Sequence, residues 1–135
     1  IRLGQRAKEG LIKGHKKALG LEGETQAVKI LKKWGYQILQ RNYRSSHGEI
    51  DIVAYDSSTI VFLEVKACKS TRYGPPELRI TNEKRRHLFG AAQQYIREKG
   101  LSGQSFRFDV VTIQFDEEGR VSDSKIIQNV FSAQG

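Results

Sequence analysis

The feature that most constrains this chain is the run Ile60-Val61-Phe62-Leu63-Glu64-Val65-Lys66-Ala67, apolar everywhere except at two positions of opposite charge. Side chains alternate along a strand, so a run with no polar face must be covered on both sides, as the central strand of a sheet held between helices. A buried carboxylate or ammonium there costs on the order of several kcal/mol unless it is paired or metal-bound. Glu64 and Lys66, two positions apart, project from one face about 6.5 Å apart along the strand. They define a single site.

The rest of the chain supplies the layers. Ala27, Val28, Leu31 and Trp34 recur at helical spacing and Gly35 follows as a C-terminal cap, which predicts a first helix. Strand patterns occupy residues 36–43, 49–55 and 60–67. Gly74-Pro75-Pro76 breaks regular structure in a loop expected to be exposed. Thr81 or Asn82 can then cap a second helix with Leu88, Ala91, Ala92, Tyr95 and Ile96 as its buried stripe and Gly100 at its end. Residues 106–115 and 121–130 read as two more strands, joined by the acidic turn Asp116-Glu117-Glu118-Gly119. The order α-β-β-β-α-β-β predicts an α/β fold with a mixed sheet flanked by helices. With 135 residues, 38% hydrophobic and 28% charged, we expect one domain over residues 21–135, after a basic arm over residues 1–20 that is mobile or weakly helical.

Charge narrows the partner. The net charge of +8 favours polyanions, and about +5 of it falls in residues 1–20, where Glu9 alone opposes six cations. Lys66, Lys69, Arg72, Arg79, Lys84, Arg85 and Arg86 form a second basic cluster. Solvated surface charge is the competing reading of both. No stretch approaches the ~20 apolar residues needed to span a bilayer, and no apolar run near the first residue would act as a signal peptide, so a cytoplasmic protein without membrane contact is expected. Cys68 has no cysteine partner; it reads as a small buried hydrophobe, and zinc would need more sulfur ligands.

A two-residue loop at Ser57-Ser58 would pair the second and third strands so that Asp51 lies opposite Glu64. Opposed acids destabilise a sheet, whereas a cation between them reverses the sign. Two carboxylates and a backbone carbonyl such as that of Val65 are hard oxygen ligands suited to Mg²⁺, with Mn²⁺ as the substitute. Glu24 shares the buried face of the first helix with Ala27, Val28 and Leu31, so it can serve the same site or interact with the helix dipole. Glu22 falls on the solvated face. Lys66 can orient water or neutralise phosphate charge; an ion pair with Glu64 and no chemistry is the alternative. Lys84, Arg85 and Arg86 at the start of the second helix, with Arg41 and Arg44, are candidate anchors for a nucleic-acid backbone, against plain surface charge. Tyr73 could stack on a base, and His47 could touch phosphate, though both also read as ordinary loop residues. Glu49 and Asp109 are candidates to support the site from behind.

Gly23-Glu24, Arg41-Asn42-Tyr43-Arg44, Gly48-Glu49-Ile50-Asp51-Ile52, Glu64-Val65-Lys66 and Arg107-Phe108-Asp109-Val110-Val111 together resemble the YraN family of bacterial proteins. That family resembles the PD-(D/E)XK restriction-endonuclease-like superfamily, which includes archaeal Holliday-junction resolvases. The resemblance implies a three-layer α/β/α fold with a central mixed sheet. Its metal site is built from a helix glutamate, a strand aspartate and an E-X-K strand, here Glu24, Asp51, Glu64 and Lys66. Ile50 stands where the superfamily's proline precedes the aspartate, a departure that the resolvase-like branch tolerates. The resemblance further implies a Mg²⁺-dependent nuclease acting on DNA, branched or structured forms included, and a homodimer by analogy with junction resolvases. A catalytically inactive nucleic-acid-binding or scaffold module of the same fold is the alternative, and a structural protein-interaction domain the third.

Overall fold

A computed structural model describes residues 20–69 and 80–131. Residues 1–19 of the expected basic arm, and Tyr73 with the Gly74-Pro75-Pro76 loop, lie outside the described residues. The first helix, α1, covers residues 20–33. It ends because Gly35 adopts a φ of 91°, letting the Tyr36 N–H reach the Leu31 carbonyl at 2.9 Å and the Gly35 N–H reach that of Lys32 at 3.1 Å.

Five strands follow in the expected order around a second helix: β1 (Gln37–Ser45), β2 (Gly48–Asp56), β3 (Thr59–Lys69), α2 (Asn82–Glu98), β4 (Phe106–Phe115) and β5 (Val121–Phe131). They form one sheet, β1-β2-β3-β4-β5, in which only the β3–β4 pair is parallel. The parallel pair is the consequence of the α2 crossover between β3 and β4. Thr81 caps α2 by accepting the Lys84 N–H at 3.1 Å, as its hydroxyl predicted.

The central strand is buried on both faces, as its composition requires. On one side Phe62, Val53, Tyr43 and Ile50 pack with Leu88, Ala91, Ala92 and Tyr95 of α2. On the other, Val61, Leu63, Ile52 and Ala54 pack with Ala27 and Leu31 of α1. The architecture is therefore α/β/α in three layers. Trp34 corrects the sequence reading: expected on the buried stripe, it lies beyond the last helical residue and is 69% exposed. Among the described residues no helix is long and apolar enough to cross a membrane.

Glycine is required where elements approach most closely. A Cβ on Gly23 of α1 would lie 2.5 Å from the Ala67 Cβ of β3, so its absence lets the start of α1 settle onto the far end of the central strand. A Cβ on Gly90 of α2 would meet the His47 ring at 2.7 Å. This close approach seats the two-residue Ser46-His47 turn, whose Ser46 Oγ donates to Gln94 Oε1 at 3.0 Å.

Candidate metal and nucleic-acid site

The β2–β3 ladder runs from Asp56 opposite Thr59 to Ile52 opposite Leu63, the register expected from the Ser57-Ser58 turn, and goes no further. One step on, where Asp51 would oppose Glu64, regular pairing ends. Asp51 Oδ2 instead accepts the Val65 N–H at 2.8 Å. A side-chain carboxylate has replaced a backbone acceptor, and this removes the like-charge opposition that a continued ladder would impose. β3 remains paired with β4 to its end, so the central strand stays fixed while β2 leaves it.

Asn42 on β1 faces acids of the same site. Its φ of 52° lies in the left-handed region, which asparagine tolerates better than most residues, and the β1–β2 pairing skips from Arg41–Ile52 to Tyr43–Ile50 across it. With its carboxamide oriented so that the nitrogen faces the acids, Asn42 donates to Glu24 Oε1 at 2.7 Å and to Glu49 Oε1 at 3.0 Å. It thus links α1 to β2. The sequence marks Asn42 only as part of the Arg41-Asn42-Tyr43-Arg44 motif, without this role.

Glu64 lies on the α2 side of the sheet, in alternation with Phe62. Its side chain is 18% exposed, and Oε2 is buried without a hydrogen-bond partner. The nearest ammonium, Lys84 Nζ in the first turn of α2, stands 3.5 Å away, an ion-pair distance that is long for a hydrogen bond. Burial, and then the neighbouring Asp51 carboxylate, push the Glu64 pKa up to about 7 against the pull of Lys84 and Lys66. Burial also raises Asp51, while the Val65 N–H and Lys84 pull it back and Glu49 adds to the rise. Glu24 is raised by burial and then by Asp51; Arg41 counters this, Glu49 reinforces it, and Asn42 lowers it.

The structure therefore brings Glu24, Glu49, Asp51 and Glu64 into one electrostatic group at the split between β2 and β3, with Lys66 and Lys84 beside it. Among the described residues, no three His, Cys, Asp or Glu side chains close around a point as a ready metal cage. What the fold builds is a pair of acids with an orphaned buried oxygen, and Mg²⁺ commonly uses one or two carboxylates and keeps several waters. The donor set fits such an ion.

Other expected positions fall differently. Arg44 is exposed and pairs with Glu49 at 3.6 Å. Of the three cations opening α2, Lys84 faces Glu64, Arg85 lies 5.4 Å over the Phe131 ring, and Arg86 is exposed. No local signal in the sequence places Lys84 beside a carboxylate, because its partner lies on a different element, β3. Glu22 accepts from Gln26 on the solvated side of α1, as expected. Asp109 needs correction. Expected to support the acids, it lies on the α1 side of the sheet, where its carboxylate takes Arg107 Nε at 3.0 Å, the Tyr36 hydroxyl at 3.1 Å and the Asn129 N–H at 2.9 Å. Its neighbour Arg107 also donates to Asp56 Oδ2 at 2.7 Å. The physical reason is alternation: Asp109 shares its face with Val111 and Ile113, not with Phe108. Cys68 is half-buried, not fully enclosed.

Comparison with known proteins adds a family. The model described as "Uncharacterised protein family UPF0102" matches residues 23–113. The chain belongs to the UPF0102 family. A UPF0102 protein of Caldicellulosiruptor saccharolyticus is 42% identical over 117 residues, covering 87% of this chain and 99% of its own. That of Desulfosudis oleivorans is 46% identical over 114 residues, 84% of this chain and 89% of its own. Geobacter metallireducens supplies another at 44% over 117 residues, 87% and 94% of the two chains. This is the family that the YraN resemblance named from its motifs. The region matched by the UPF0102 model opens at Gly23, the glycine that seats α1, and contains Glu24, Asn42, Asp51, Glu64, Lys66 and Lys84.

Proposed function

We propose that the protein is a metal-dependent nuclease that hydrolyses phosphodiester bonds in DNA, branched or structured DNA included, within the PD-(D/E)XK superfamily. The observation that carries this reading is the buried Glu64 oxygen left without a hydrogen-bond partner beside a second, half-buried acid, Asp51. A fold does not retain a carboxylate in its central strand with only a long ion pair to Lys84 without cost, and a divalent cation is a fuller compensation that this donor set suits.

Asp51, Glu64 and the Val65 carbonyl would hold Mg²⁺ or Mn²⁺. When bound, such an ion supplies water activation and neutralises charge developing on phosphorus and its oxygens. The chain's own residues do the rest. The Val65 N–H fixes one Asp51 oxygen, leaving the other for a ligand. Lys66 orients the attacking water or balances phosphate charge from the same side as Glu64. Lys84, at ion-pair distance from Glu64, can turn to a substrate phosphate once the carboxylate is neutralised. Glu24, held by Asn42, would reach the ion through water. Arg41, Arg44 and Arg86 would contact the DNA backbone.

The Lys84–Glu64 pair also favours a second reading, in which the ammonium permanently takes the cation's place and the protein binds nucleic acid without cutting it. A cleavage assay decides. Duplex, single-stranded, flapped and four-way DNA are incubated with Mg²⁺ or Mn²⁺ and the intact chain, Asp51→Asn or Lys66→Ala. The nuclease reading predicts metal-dependent cleavage that falls at least about a hundred-fold in both variants. Cleavage surviving both rejects the site; salt-sensitive binding with no cleavage of any substrate favours the second reading.

A further inference from the structure

A cleft of about 320 Å³ lies on the α1 side of the sheet, between the end of α1 and the edge strand β5. Its walls include Ile30 and Trp34 from α1 and its cap, Tyr36, and Ser124, Ile126 and Gln128 from the edge strand β5. Trp34, the only tryptophan in the chain, is 69% exposed at this cleft. An indole left in water just past the end of a helix gains nothing for the core, since the buried stripe of α1 ends at Leu31. It offers a flat aromatic face instead.

The chemistry around that face is specific. Lys32 and Lys33 are exposed and directly precede Trp34, and neither makes an ion pair among the described residues. Lys125 contributes to the cleft wall. Asp56, the one acid lining the cleft among the described residues, pairs with Arg107 at 2.7 Å, a guanidinium it shares with Asp109. At its base the Tyr36 hydroxyl donates to Asp109 and accepts from Arg107 and Gln128, so the floor is a fixed polar surface that cannot collapse onto the space above. An aromatic plane with polar groups below and uncompensated lysines beside it matches a base and its phosphate, not an apolar peptide.

We infer that this cleft binds an unpaired nucleobase of a single strand, stacked on Trp34. The inference rests on the nuclease reading only in taking the ligand to be nucleic acid, and it deepens that reading by naming the substrate class. The preferred substrate is therefore DNA that carries an unpaired segment.

Because Trp34 is the sole tryptophan, its fluorescence reads the contact directly. In chelator, so that nothing is cut, the full chain is titrated with a short oligothymidylate, a blunt duplex of equal length and free thymidine monophosphate, while fluorescence anisotropy of labelled copies of the two DNAs reports binding. The single strand should quench Trp34 in step with its binding, the duplex should bind without comparable quenching, and the free nucleotide should act only at far higher concentration. Trp34→Ala, which removes an exposed side chain, should weaken single-strand binding about ten-fold, with Trp34→Phe between. Oligonucleotide binding with Trp34 fluorescence unchanged overturns the inference and leaves the nuclease reading standing. Free nucleotide quenching as well as the oligomer overturns the single-strand assignment in favour of a nucleotide pocket. No binding of any DNA overturns both readings.

Discussion

Glu64 is where burial and charge conflict most sharply. Its ordinary pKa of 4.5 is displaced to about 7 in the fold, first by burial and then by Asp51. Below pH 4.5 the group is protonated in folded and unfolded chains alike and costs nothing. Between 4.5 and 7 the unfolded chain ionises while the folded one keeps its proton, so stability falls as pH rises, levelling off above 7 at a loss of about 3 kcal/mol. Glu64→Gln removes that penalty. In chelator, urea unfolding should find the variant more stable than the parent at about pH 8 and equal to it near pH 4.5. With Mg²⁺ at the higher pH only the parent should gain stability. A variant less stable than the parent there in chelator would mean that the Lys84 pair outweighs burial.

At the scale of elements, the site depends on how closely α1 lies on β3. Gly23→Ala would drive a Cβ to 2.5 Å from that of Ala67, and neither atom sits on a flexible side chain. We expect a loss of about 1–3 kcal/mol in thermal or urea unfolding, with part recovered by Ala67→Gly, whose deletion of the opposing Cβ makes room. Failure of the double variant to recover anything would place the close contact elsewhere. The elements themselves are legible in the sequence wherever periodicity and capping agree: Thr81, Gly35 and Gly100 act where expected, and the Ser57-Ser58 turn sets the predicted register. Trp34 is misread because helical spacing runs one residue past the last helical position, residue 33, ahead of the Gly35 cap that unwinds the chain. The parting of β2 from β3 is invisible for a different reason: the same alternation describes a continuous ladder, and only the competition of Asp51 for the Val65 N–H ends it.

On the scale of the molecule, two polar centres occupy opposite faces of one sheet. The Tyr36, Asp56, Arg107, Asp109 network joins segments as much as 73 residues apart and satisfies its buried groups internally, which is why no linear pattern announces it. The Asp51–Glu64 centre is the opposite case, announced by its motif yet incompletely satisfied in the fold. Its acids gather at a split in the sheet, with cations on two sides and a family match running from Gly23 into β4. For the nuclease reading to stand, that carboxylate pair must hold a divalent ion. The most direct measurement is Mn²⁺ binding followed by electron paramagnetic resonance, with the intact chain against Asp51→Asn and Glu64→Gln. Saturable binding that both substitutions abolish or weaken at least about ten-fold, with Mg²⁺ competing, is the predicted result. Binding unaffected by either substitution, or no binding at all to a folded chain, would contradict it.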